Sequence, residues 1–164
     1  MNGVCADGQC THGRLYTWTE AINQTDVQCA PVNACVGVSD GNDFRGICPI
    51  GWRLPSKADF TELIAQLENA NVAAPLRSVD GWSEGYGNGT NTLGFNAYPM
   101  GTYDFDSQKF EKVGEEAYFW STEVYSSTVE DKDIEYVRSL FLSTSALVSG
   151  LGKEASANVR CIKK

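Results

Sequence analysis

Five of the six cysteines, Cys5, Cys10, Cys29, Cys35 and Cys48, lie in the first third of the chain, and the sixth, Cys161, stands almost at its end. An even count in a Gly-rich chain of this size points to disulfides, which persist in oxidising compartments. A zinc site asks instead for close Cys or His pairs such as C-x2-C. Here the cysteines are spaced more widely, and His12 is the sole histidine. Six cysteines allow many pairings, but Cys5 with Cys10 and Cys29 with Cys35 close natural local loops, which leaves Cys48 for Cys161. A bridge that ties the middle of the chain to its end stabilises by roughly 4–5 kcal/mol in the chain-entropy model, more than either local loop.

The 164 residues make one domain, since a chain of this length buries roughly 70% of its unfolded surface. We divide residues 1–164 into a Cys-rich N-terminal part, 1–46, and a main body, 47–164. The formal charge is −8, and no Lys/Arg-rich run interrupts it, so nucleic acid is excluded as a partner on electrostatic grounds. Direct membrane insertion is excluded too, because no apolar stretch approaches the ~20 residues that span a bilayer. The first residues lack the basic flank and apolar block of a signal peptide. Together with the cysteines, this leads us to expect a piece of a longer exported protein.

Tyr16, Trp18, Ala21 and Ile22 form the buried side of a short helix. A stronger stripe, Phe60, Leu63, Ile64 and Leu67, predicts a helix over 57–69, with Ser56 as N-cap and Asp59 completing a capping box. Residues 77–114 are dominated by Gly, Asn, Asp and aromatics, and read as ordered loops with short strands. Strands are predicted over 118–122, 134–143, 146–149 and 155–162; in the last, Ala155, Ala157, Val159 and Cys161 alternate with polar neighbours. Gly150 and Gly152 supply a turn before it. Successive strands with short turns suggest an antiparallel meander, and the two helices make the class α+β.

Five strings occur in order along the chain: Gly13-Arg14-Leu15-Tyr16-Thr17-Trp18, Cys48-Pro49-Ile50-Gly51-Trp52-Arg53-Leu54-Pro55-Ser56, Gly94-Phe95-Asn96-Ala97-Tyr98-Pro99-Met100-Gly101, Ala117-Tyr118-Phe119-Trp120-Ser121-Thr122-Glu123 and Val159-Arg160-Cys161. Taken together, the chain resembles the Fibrobacter succinogenes major paralogous domain family. That resemblance implies a secreted or surface-attached bacterial domain with a C-type-lectin-like fold, thought to bind rather than to catalyse. Two departures stand out. Family members usually begin upstream of the first matching cysteine, and Arg53 stands where the family often has His.

The four tryptophans invite a carbohydrate reading, but Trp52 and Trp120 sit among apolar neighbours and are expected in the core, with Trp18. Trp82, flanked by glycines, Asp80, Glu84 and Tyr86, is the candidate exposed stacking platform. Segment 124–158 has no regular polarity, and in lectin-like proteins this late region forms the ligand-facing side. Tyr125, Asp131, Asp133, Tyr136 and Arg138 are its candidate contacts, Tyr and Arg being the residue types that dominate hot spots. With Trp82 and Tyr86 they form the candidate ligand-binding set.

Calcium needs six to eight oxygens, as a rough rule; the strings Ser39-Asp40-Gly41-Asn42-Asp43 and Asp104-Phe105-Asp106 are the clusters that offer them, and turn formation accounts for these, so no cofactor is expected, with calcium the alternative. Catalysis by a Ser-His-Asp or Cys-His set depends on His12, which lies beside bridged cysteines. The resulting expectation is a non-catalytic, adhesin-like module that recognises a glycan or protein at the cell surface, attached to a larger surface protein or filament. An enzyme of the formylglycine-generating or carbohydrate-active type and a structural filament subunit are the alternatives.

Overall fold

The computed structural model describes residues 3–23, 43–129 and 132–164. The elements in chain order are β1 (Tyr16–Thr17), α1 (Trp18–Ala21), β2 (Trp52–Arg53), α2 (Lys57–Ala65), β3 (Thr102–Asp104), β4 (Lys109–Glu111), β5 (Ala117–Val129), β6 (Lys132–Leu142), β7 (Ala146–Gly152), β8 (Ser156–Ala157) and β9 (Ile162–Lys163). Two short helices and small antiparallel sheets make an α+β domain.

The capping box at α2 forms as its sequence dictates: Ser56 Oγ accepts from the Asp59 amide while the Asp59 carboxylate accepts from the Ser56 amide. Asp59 also receives both guanidinium nitrogens of Arg53, at 2.6 and 2.7 Å, which ties β2 to the helix start. The helix ends at Ala65, earlier than the predicted 69, because Asn69 prefers a local turn in which its side chain accepts from the Asn71 amide. Leu67 still packs on the core. Helix α1 has a capping box of its own, Thr17 with Glu20, and buries Trp18 and Ala21; Tyr16 of the predicted stripe belongs to β1.

β5, β6 and β7 form the predicted antiparallel meander, with β6 in the centre. All three strands run further than the periodicity suggests, because cross-strand pairing extends past the apolar residues. The fourth predicted strand, 155–162, is corrected. It is two separate pairs of residues: β8 with β1, and β9 with β2. Between them Cys161 is bridged to Cys48, and Val159 turns onto the core beside that bridge. Gly150 and Gly152, read as turn residues, lie inside β7.

Two apolar clusters sandwich the meander. Trp18, Ile22, Leu54, Trp120, Val137 and Ala157 pack on one side. Phe60, Leu76, Trp82, Phe119, Leu140 and Leu142 pack on the other. This division follows the period-2 alternation of β6, where Val137 belongs to the first cluster while Leu140 and Leu142 belong to the second. Trp18 and Trp120 are fully buried as expected, and each indole N–H donates to a carbonyl, Ser121 O at 3.0 Å and Tyr16 O at 2.7 Å. Trp52 is corrected: it is 39% exposed, beside an almost wholly exposed Ile50 at a turn.

Cys5 is bridged to Cys10 and Cys48 to Cys161, as predicted; Cys29 and Cys35 lie outside the described residues. Two disulfides mark a chain that matures in an oxidising compartment. Among the described residues no helix is long and apolar enough to cross a membrane.

Candidate functional site

The two apolar clusters cover only part of the sheet. Residues 117–120 pair regularly with 139–142, after which the register shifts and Val124 pairs with Val137. Residues 121–123 form the irregularity, and three contacts pin it: Trp18 donates to Ser121 O, the Thr122 amide donates to Pro55 O at 2.9 Å, and the Glu123 carboxylate accepts from the Lys57 amide. Such a bulge bends the strand and re-aims the side chains beyond it. Beyond it lies the half of the sheet that the sequence singled out.

In this half Tyr125 pairs with Tyr136, and Tyr136 and Arg138 pair with Gly152 and Gly150 of β7. Paired residues share a face, and so do residues two apart along a strand, so these five positions lie on one side with Ser127, Val129, Lys132 and Ile134. The Arg138 guanidinium lies 3.6 Å from the centroid of the Tyr125 ring. The Tyr136 ring stacks against Tyr125 at 5.6 Å, with 27° between the planes. Tyr125 reaches across β6 as far as β7, where a Cβ at position 150 would collide with its hydroxyl. Glycine in a strand interior marks such a close approach. At Gly152 the neighbour is the Glu154 carboxylate.

Arg138 forms no ion pair among the described residues. The contrast with the opposite face is direct. There Lys153 pairs with Glu135 at 2.5 Å and reaches over the Trp18 ring, so its charge is already satisfied. Toward the tip of the open face Val129 is 43% and Ile134 38% exposed, with Lys132 at the register position opposite Val129. Asp131 lies outside the described residues. Asp133 pairs through its backbone with Thr128, and its side chain lies outside the described residues.

Trp82 is corrected. It is 6% exposed, a core residue rather than a stacking platform. Its indole N–H donates to Ser78 Oγ at 3.1 Å, and the Arg77 guanidinium lies 4.5 Å over its ring. Arg77 is itself buried and has no carboxylate partner among the described residues; it donates instead to Ser143 O at 2.8 Å, Tyr86 O at 3.0 Å and Gly87 O at 2.7 Å. Burial pulls its pKa down. Its role is to fasten the loop that carries Trp82 to the turn after β6. Tyr86 packs at the edge of this cluster, and its hydroxyl donates to Glu115 at 3.2 Å; burial, then Glu115, pushes the phenol up. No hydrogen bond, ion pair or ring contact among the described residues joins Trp82 or Tyr86 to Tyr125, Tyr136 or Arg138. The sequence-predicted set therefore separates: Tyr125, Tyr136 and Arg138 come together, and the two Trp82-loop residues do not join them.

Beside Glu154 lies a cleft of about 230 Å³ lined by Tyr103, Asp104, Phe105, Asp106 and Glu111 among others. The Asp104 carboxylate accepts from the Asp106 and Ser107 amides and from Ser107 Oγ, and that last bond leads in holding its pKa down. It is a turn former, as read from the sequence. Among the described residues no group of three or more His, Cys, Asp and Glu is placed to hold a metal ion; Asp40 and Asn42 lie outside them. His12 stacks on Tyr98 with ring centroids 3.5 Å apart.

Sequence reasoning missed Gly150, Gly152, Val129 and Ile134 as parts of this face. The glycines carried a signal: two of them among otherwise strand-forming residues mark a bulge or a close approach as readily as a turn.

The model of the Fibrobacter succinogenes major domain matches residues 5–163. No curated protein and no solved structure matches the chain.

Proposed function

Because the chain belongs to the Fibrobacter succinogenes major domain family, we propose that it is an exported ligand-binding module of C-type-lectin-like type, displayed at a cell surface, and that its ligand lies on the open half of the meander. One observation carries this reading: Tyr125, Tyr136 and Arg138 are stacked into a preorganised group on a sheet whose other half is locked between two apolar cores. A rigid base holds these side chains without help from the ligand, so little ordering entropy opposes binding. Aromatic and Arg side chains of this kind dominate recognition hot spots.

A binding role suits the remaining chemistry. All four described cysteines are bridged, so the thiol chemistry of a formylglycine-generating enzyme finds no free thiol among them. The sole histidine is engaged with Tyr98.

The test is a combined glycan and protein array probed with the wild-type chain, Tyr136→Ala and Arg138→Ala. Signals that weaken for both variants support the reading. A reproducible ligand bound equally by all three proteins overturns it.

A further inference from the structure

The open face carries more than a general capacity to bind, because its chemistry discriminates between ligand classes. Its rings are engaged with each other and with a guanidinium rather than lying bare for a sugar to stack on. The Arg138 side chain is half-buried and its guanidinium makes no ion pair among the described residues, so its fork of N–H donors is free of a carboxylate there. That fork matches the two oxygens of a carboxylate. Around the tip, Val129 and Ile134 add exposed aliphatic surface on the same side. Aliphatic side chains next to Tyr and Arg make the composition of a protein–protein interface core.

Charge narrows the choice further. With a net charge of −8 the whole molecule repels a polyanion such as a polyuronate at long range, whereas a single carboxylate on a partner protein meets chiefly the local positive charge of this face, where Arg138 and the position of Lys132 lie on one side. Glu154, beside Gly152 at one margin, adds to the repulsion of a ligand with many acids and leaves the Gly150 side, where Arg138 pairs, to a ligand with one.

We propose that this face docks a segment of a partner protein that presents one Asp or Glu carboxylate flanked by apolar side chains. Arg138 holds the carboxylate as a fork, Tyr125 fixes the guanidinium plane, and Val129 and Ile134 cover the apolar part. This deepens the binding reading above and rests on it.

The test pans a random-peptide display library on the purified, disulfide-intact chain, alongside arrays of neutral and uronate-containing oligosaccharides. The selected peptides are expected to carry an acid next to aliphatic or aromatic residues. Arg138→Gln should weaken them by about tenfold or more. Arg138→Lys should restore little, since an ammonium lacks the planar fork. Changing the peptide acid to its amide should cost affinity toward the wild type and almost none toward Arg138→Gln, a coupling that a merely structural role for Arg138 does not produce. Far- and near-ultraviolet circular dichroism establishes that each variant keeps the fold, and Tyr136→Ala serves as a second probe of the face. Peptides without an acid, acid-bearing peptides indifferent to Arg138→Gln, or no selected peptides at all would overturn the proposal. Oligosaccharides bound in an Arg138- and Tyr136-dependent way would end the protein-partner proposal but leave the binding face standing. A ligand of any kind that ignores both residues would end both.

Discussion

The two halves of one sheet differ in what their side chains meet. Before the bulge, Phe119 and Leu140 sink into one apolar cluster and Trp120 into the other, so both faces are covered. After it, Val124 and Val137 still pack inward, while on the other face Tyr125, Tyr136 and Arg138 are half-buried and belong to neither cluster. The strands are continuous across the boundary; what changes is the cover. Helix α2 and the Trp82 loop lie over the second cluster's half and stop there. The apolar cover is thus concentrated at one end of β5 and β6 and the proposed recognition face lies at the other, with the irregularity at 121–123 between them.

If that division is real, damage to the base should unfold the molecule while damage to the open half should not. The largest effect is expected from the double variant Cys48→Ser, Cys161→Ser. It opens a loop with a sequence separation of 113 and should cost roughly 4–5 kcal/mol in the chain-entropy model, read as a fall in the denaturant midpoint. Leu140→Ala should follow, at about 2–5 kcal/mol for a fully buried side chain, against no more than about 1 kcal/mol for Tyr136→Ala. Equal losses at these two positions would break the comparison. Arg77→Ala tests the cover itself: it strips donors from three carbonyls and unroofs Trp82, and should cost about 3 kcal/mol.

A smaller effect, with a defined pH dependence, is expected at the start of α2. The Arg53 guanidinium leads in holding the Asp59 carboxyl at about 2, below its ordinary 3.8. A carboxyl with a depressed folded-state pKa stabilises fully above its unfolded value, and the benefit disappears as pH falls from 3.8 through 2. Asp59→Asn should therefore cost about 1–2 kcal/mol at neutral pH, through the lost cap and ion pair. In urea titrations the gap between the two proteins should close as the pH drops below 3.8 toward 2. A constant gap would place the benefit of Asp59 elsewhere.

How much of this was legible beforehand depends on whether the signal was local. The Ser56–Asp59 box, the α2 stripe and the long disulfide were readable because residue type and spacing alone determine them. The antiparallel meander was readable as strand candidates over 118–122, 134–143 and 146–149, but which of their residues face the core was not, since 124–158 shows no regular polarity. Trp82 was misread because its neighbours in sequence are glycines and acids, whereas its neighbours in space are Arg77 and Ser78. Trp52 failed in the opposite sense: apolar sequence neighbours suggested burial at what proves to be an exposed edge. The stretch 155–162 alternates like one strand, but the Cys161 bridge and two different partners divide it, and neither is visible in the alternation. Tyr125, Tyr136 and Arg138 were singled out by residue type; that they stack on one another required the register.

Gly150→Ala is expected to have the smallest effect on stability, yet it tests most directly whether the sheet organises the site. The backbone there is compatible with alanine, which a strand accepts slightly better than glycine, by about 0.5–1 kcal/mol. The added Cβ, however, meets the Tyr125 hydroxyl, so the ring must move and the guanidinium over it loses its support. Global stability should change by less than about 1 kcal/mol, while the ring-current shift of the Arg138 Nε–H resonance collapses and ligand affinity falls. Deleting the hydroxyl, the nearest of the atoms met, in the double variant Gly150→Ala, Tyr125→Phe should recover part of that shift, although the ring carbon Cζ at 2.9 Å must still give way. A Gly150→Ala protein whose Arg138 resonance stays in place would mean that the stack is not set by the close approach at β7, and the open half would then be a set of independent side chains rather than a preorganised site.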